Sequence, residues 1–160
     1  MNRQQFTELV LKEQEALRRF LLTLCCGNRD DADDLAQETL VKAYLSSGSY
    51  SDEGKFKAWL YKIAYNTFVS SRRAAKAVAS IEEAADIADL SLAPDRRYKY
   101  QSLYAALSKM QPKERTALVL FYMNDYSIKE ISRITDAGED AVKKQLQRGR
   151  DHLRQFIKAE

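Results

Sequence analysis

The stretch SIKEISRITDAGEDAVKKQLQRGR, Ser127 to Arg150, decides how the rest of the chain is understood. Ser127 and Glu130 have the spacing of a capping box, in which each side chain satisfies the other residue's free backbone N–H at a helix start. Ile128, Ile131 and Ile134 then give a short helix one apolar face, and Thr135 to Asp140 holds a turn in which Gly138 is free to take a positive φ. Val142, Leu146, Gly149 and Leu153 recur at four, three and four residues, so a second helix has one core stripe. Lys143, Lys144, Gln147, Arg148 and Arg150 are assigned to its other face. This is the pattern of a helix-turn-helix, whose second helix enters the major groove of a duplex. Lysine and arginine reach guanine O6 and N7, glutamine pairs with adenine, and further cations neutralise phosphate. The plain alternative is an amphipathic C-terminal helix with a solvated basic face.

Upstream, Phe56 to Arg73 (FKAWLYKIAYNTFVSSRR) interleaves aromatics with lysine, arginine and asparagine. Trp59, Ile63 and Phe68 fall on the core stripe, whereas Tyr61, Lys62, Tyr65, Asn66 and Arg73 fall off it. A flipped base needs a stacking face and an amide for its Watson–Crick edge, which tyrosine and asparagine supply. An amphipathic helix with tyrosines at its margins explains the same residues equally well. A third helical pattern, Asp30 to Tyr44 (DDADDLAQETLVKAY), is acidic and would repel phosphate while attracting a basic protein surface. Acid in a first turn also favours the helix dipole, which accounts for Asp30 to Asp34 better than for Gln37 and Glu38.

These segments sit in an all-α pattern, since five glycines and two prolines leave long stretches uninterrupted. Phe6, Leu9, Val10, Leu17, Phe20, Leu21 and Leu24 line a first helix stopped by Gly27 and Asn28, and Asp30 or Asp31 caps the second. Leu35, Ala36, Leu40 and Ala43 face inward on that second helix, and Ser46 to Gly54 forms a loop before the aromatic helix. Residues 1–77 make a three-helix unit. Residues 78–97 form an acidic flexible linker with one short helix near Ile81 to Ala88, and residues 98–160 make the second unit. There Gln111-Pro112 starts a helix that buries Leu118, Phe121 and Tyr122.

Composition narrows the function. Net charge is only +3, so the distribution of charge says more than its total. A single histidine, His152, and adjacent Cys25 and Cys26 cannot assemble a zinc site, and the cysteines fit better as small buried groups than as a redox pair. With no Ser/His/Asp set and no glycine-rich phosphate loop, neither an enzyme nor a cofactor is expected. No apolar run approaches the roughly 20 residues that span a bilayer, so a cytoplasmic protein without membrane insertion is expected.

Taken together, DADDLAQETLVKAY (31–44), FKAWLYKIAYN (56–66) with its basic tail, LSKMQPKERTALVLFYMNDYSIKEIS (107–132) and AVKKQLQRGRDHL (141–153) resemble the extracytoplasmic-function (ECF) σ factors of bacterial RNA polymerase. The resemblance runs from about Phe6 to Leu153. It implies σ domain 2 in the first unit, σ domain 4 in the last, and a linker threading toward the RNA exit path. It implies contacts of Asp34, Gln37, Glu38 and Tyr44 with the β′ clamp of core polymerase, and of domain 4 with the β flap. Capture of the minus-ten strand falls by resemblance to Tyr50, Phe56, Lys57, Tyr61, Lys62, Asn66 and Arg73, with Asn66 in the flipped-base pocket. Minus-thirty-five recognition falls to Lys143, Lys144, Gln147, Arg148 and Arg150. An anti-σ factor is an expected partner, and a monomer the expected state. Asp140-Ala141-Val142 stands where many members have Gly-Thr-Val, and Lys144 and Gln147 replace a frequent serine and a frequent aromatic or leucine, so the upstream preference is expected to be unusual. The competing functions are a stand-alone helix-turn-helix regulator, which would dimerise on paired half-sites, and an adaptor-type interaction protein.

Overall fold

The computed structural model describes residues 2–50, 54–79 and 94–158, and every regular element among them is helical. Helix α1 spans Arg3–Leu24, α2 Arg29–Ser46 and α3 Phe56–Ala79, with a 3-10 turn at Ser47–Ser49. The second unit contains α4 (Pro94–Ser108), α5 (Pro112–Leu118), a π-helical turn (Val119–Met123), α6 (Ile128–Thr135) and α7 (Glu139–Lys158). Helix α4 therefore starts inside the stretch assigned to the linker. The short linker helix expected near Ile81 to Ala88 lies outside the described residues.

Caps explain most of the boundaries. Helix α1 ends in a Schellman motif: Cys26 takes a left-handed φ of 54°, its N–H donates to Thr23 O, and Gly27 N–H donates to Leu22 O. Helix α2 is capped by Asn28, whose side chain accepts from Asp31 N at 3.1 Å, and not by Asp30 or Asp31. Two residues earlier than Asp30, the amide oxygen of Asn28 accepts from the backbone N–H three residues on, as a cap does. Ahead of α6, Ser127 Oγ accepts from Glu130 N at 3.1 Å and Glu130 Oε1 accepts from Ser127 N at 3.0 Å. The turn after α6 uses Asp136, with φ 57°, as its left-handed residue, so Gly138 is not the positive-φ position. Aspartate tolerates this region because its short side chain bonds locally.

Ser127→Ala should lower stability by about 1 kcal/mol, seen as an earlier denaturant midpoint. The hydrogen bond from Ser127 N holds the Glu130 carboxyl below its ordinary pKa. Its contribution is therefore complete above the ordinary glutamate range and is lost as pH falls through the depressed folded value.

One continuous core joins the two units. Helices α1, α2 and α3 pack on each other through Phe6, Leu17, Phe20, Leu21, Leu35, Ala36, Leu60 and Phe68. Helix α5 packs on α7 through Leu118 and Leu146, and Gly149 allows that approach: a Cβ there would lie 3.0 Å from Leu118 Cγ. Between the units, α3 packs against α6 and α1 against α5. Arg115 ties this junction together. Fully buried, it donates through Nη1 to Leu24 O at 2.7 Å, through Nε to Leu107 O at 2.9 Å and through Nη2 to Met110 O at 3.2 Å. Its charge thus sits on carbonyls at or just beyond the ends of α1 and α4, where helix dipoles favour a cation.

Candidate polymerase and DNA surfaces

Helix α2 buries Ala32, Leu35, Ala36, Thr39 and Ala43, which turns Asp34, Gln37 and Glu38 to solvent on the opposite side. Glu38 pairs with Lys42 at 3.2 Å, and Lys42 reaches Thr67 Oγ1 at 3.4 Å, linking this acidic face to α3. Val41, Tyr44 and Leu45 are exposed beside the carboxylates. Only Tyr44 was singled out in the sequence. Val41 and Leu45 follow Asp34 by seven and eleven residues and so share its face, a signal that helical spacing alone could have provided.

The aromatic helix differs more from expectation. Helix α3 touches α1, α2 and α6, so its buried sector is wider than one stripe. Tyr61, expected off the core, is fully buried, stacked on Phe20 at 4.4 Å and edge-on to Tyr126 at 6.3 Å. Tyr65 is also buried, while Trp59 and Ile63, expected inside, are half-buried. Tyr50 and Phe56 are buried in an aromatic cluster with Phe6 and Trp59: the Tyr50 ring lies 5.8 Å from Phe56 and 4.9 Å from Trp59. In this arrangement Tyr50, Phe56 and Tyr61 hold the loop and helix in place and do not offer free stacking faces. Asn66 and Arg73 are exposed, Lys57 lies over the Tyr61 ring at 5.5 Å, and Lys62 pairs with Asp136 at 3.4 Å.

On α7, Lys143, Lys144, Gln147 and Arg148 form an exposed row opposite buried Val142, Leu146 and Gly149. Arg150 leaves that row. It is half-buried and donates to Tyr122 Oη at 3.1 Å, because its position on the helix turns it toward the π-helical segment. That segment also corrects the expected burial of Tyr122: one extra residue in the turn rotates Tyr122 and Met123 outward, and Asn124 Nδ2 donates to Val119 O, which the irregular turn leaves available. Leu103, Leu107, Leu118, Tyr122 and Met123 line an apolar groove of about 350 Å³ rimmed by Arg150 and Arg154. No local pattern announces this groove, since its walls come from three elements.

Comparisons with known proteins match two separate stretches of the chain. The family described as Sigma-70 region 2 matches residues 9–78, and Sigma-70, region 4 matches residues 100–153. Similar proteins include the ECF RNA polymerase sigma factor SigW of Bacillus subtilis, 31% identical over 82% of this chain and 78% of the relative. SigM of Mycobacterium tuberculosis is 28% identical over 98% of this chain and 79% of the relative. Among solved structures, the sigma factor RpoE in complex with the anti-sigma factor NepR from Bartonella quintana superposes with a TM-score of 0.85 at 26% identity, covering 98% of both chains. CnrH in complex with the cytosolic domain of CnrY shares the fold, with a TM-score of 0.74 at 21% identity, over 99% of this chain and 91% of that one. A helix-turn-helix behind an acidic and a basic helix, matched in order over nearly the whole length, places the chain in the ECF family of RNA polymerase σ factors.

Proposed function

We propose that the σ factor's work is divided among three surfaces: α2 docks on core polymerase, the exposed side of α3 captures the melted strand, and α7 reads the upstream duplex. The exposed row Lys143, Lys144, Gln147 and Arg148 on a properly capped helix-turn-helix carries this reading most directly. A basic row on a second helix is what a major-groove reader needs. Asp34, Gln37 and Glu38, with Val41, Tyr44 and Leu45 beside them, offer an acidic and apolar face suited to a basic clamp on β′. The groove walled by Tyr122 and Met123 offers the second unit an apolar seat for a polymerase element such as the β flap. Domain 2 then covers residues 1–77 and domain 4 residues 98–160.

The protein makes and breaks no covalent bond; it selects a site, stabilises exposed bases and hands the duplex to the polymerase. It works in the cytoplasm, where polymerase is, and no described helix is long and apolar enough to cross a membrane. The anti-sigma complex of its structural relative supports a comparable inhibitor for this chain.

Run-off transcription with core polymerase, this chain and genomic promoter fragments tests the reading, and discrete transcripts are the expected result. Failure to form transcripts or a complex with core polymerase would refute it. Asn66→Ala should keep polymerase binding but reduce open complexes about ten- to hundredfold, the worth of one stacked and paired base at about 1–3 kcal/mol. Unchanged permanganate reactivity of unpaired thymines in that variant would move the base pocket elsewhere.

A further inference from the structure

Helix α7 begins at Glu139, with Val142 N–H donating to Gly138 O at 3.0 Å, so Asp140 is its second residue. Lys144, Gln147 and Arg148 follow Asp140 by four, seven and eight positions, which puts all four on the face opposite Val142, Leu146 and Gly149. All four are exposed. A helix that reads the major groove brings its N-terminal residues to the base edges, and Asp140 is the member of this row that lies in the first turn. Lys144 stands four residues on from Asp140, the order that best favours a helical ion pair, and Glu38–Lys42 forms such a pair on α2. Among the described residues, however, Asp140 makes neither an ion pair nor a side-chain hydrogen bond. Its carboxylate is left to face whatever α7 meets.

We infer that Asp140 is a specificity-determining residue: its carboxylate accepts from the N4 amino group of a cytosine in the upstream duplex and turns away guanine and thymine at that position. The inference rests on the assignment of α7 to duplex reading.

An ionised carboxylate has acceptors only. In the major groove cytosine offers the N4 donor, whereas guanine shows O6 and N7 and thymine O4, acceptors that repel it. Adenine sets its N6 donor beside the acceptor N7, so it satisfies one carboxylate oxygen and opposes the other. Lys144 and Arg148 gain on phosphate whatever the sequence. Asp140 opposes phosphate, so it costs affinity everywhere except above its own base. An element that penalises wrong sequences more than the right one raises specificity while it lowers affinity. Acid in a first turn also favours the helix dipole, but Glu139 supplies that charge about 100° round the helix from Asp140 and away from Lys144.

The test is selection from duplexes randomised across the upstream element, with the full-length chain as bait and the bound fraction sequenced. The parent chain should prefer cytosine to guanine or thymine by about five- to fiftyfold at one position, the worth of one base contact. Asp140→Asn should move that preference to adenine, because an amide accepts from N6 and donates to N7. Such a change of base, unlike a loss of binding, does not arise from misfolding. Asp140→Ala should erase the preference at that position alone and raise affinity for other duplexes about twofold, as a negative charge leaves the phosphates. Glu139→Gln removes the same charge one residue off the row and should leave every base preference as it is. If the parent chain shows no cytosine preference, or if both Asp140 variants select the same bases as the parent, the carboxylate serves the helix dipole and the inference is overturned. If Lys144→Ala and Arg148→Ala also leave duplex binding unchanged, the assignment of α7 to duplex reading falls with it.

Discussion

Replacing Arg115 with methionine should destabilise the whole chain by roughly 2–5 kcal/mol, the loss of three charge-assisted hydrogen bonds offset in part by relief of a buried charge. The three acceptors lie at the ends of α1 and α4, and burial lowers the Arg115 pKa, opposing its charge. Desolvation is thus tolerated only because those carbonyls surround the guanidinium. For a chain of this size the melting midpoint should fall by about 5–15 °C, at about 2–4 °C per kcal/mol. Arg115→Lys should recover only part of it, because one ammonium cannot reach carbonyls on both helices as a planar fork does. Thermal denaturation followed by circular dichroism measures both variants. If Arg115→Met melts within about 2 °C of the parent chain, Arg115 does not fasten these helix ends.

Reversing charge on α2, with Asp34→Lys and Glu38→Lys together, should weaken binding to core polymerase by at least about a hundredfold. Removing one partner of an interfacial charge pair costs about 2–5 kcal/mol, and reversal adds repulsion. Both positions are exposed and lie beyond the first turn of α2, so folding should be spared apart from the solvated Glu38–Lys42 pair. Affinity measured against core polymerase, with binding of α7 to duplex as the internal control, isolates the effect. A double variant that binds polymerase as the parent does would remove α2 from the docking surface.

The sites differ in how far sequence alone reveals them. The helix-turn-helix was legible because its signals are local: a capping box whose two members lie three positions apart, isoleucines on one face and a basic row on the next helix. The acidic face of α2 was legible in its charges but not in Val41 and Leu45, which are ordinary apolar residues until the buried side of the helix is known. Helix α3 was the least legible. Tyr61 and Tyr65 lie off the expected stripe, and the burial of Tyr61 comes from two distant rings, Phe20 of α1 on one face and Tyr126, just before α6, at its edge. Arg150 looked like one more cation on the recognition helix until the π-helical turn brought Tyr122 beside it.

The sequence by itself determined the all-helical class, the order of the elements, the capping box of α6, the Pro112 start of α5 and the placement of acid on α2 and base on α7. Those features depend on residues three to seven positions apart, where helix periodicity and capping chemistry act without help. Only the tertiary structure decided which aromatics of α3 are free, where the groove of the second unit lies and that Arg115 fastens one unit to the other. The Arg115–Leu24 bond joins residues 91 positions apart. No local pattern encodes such a contact, because it depends on how two separately folded surfaces meet.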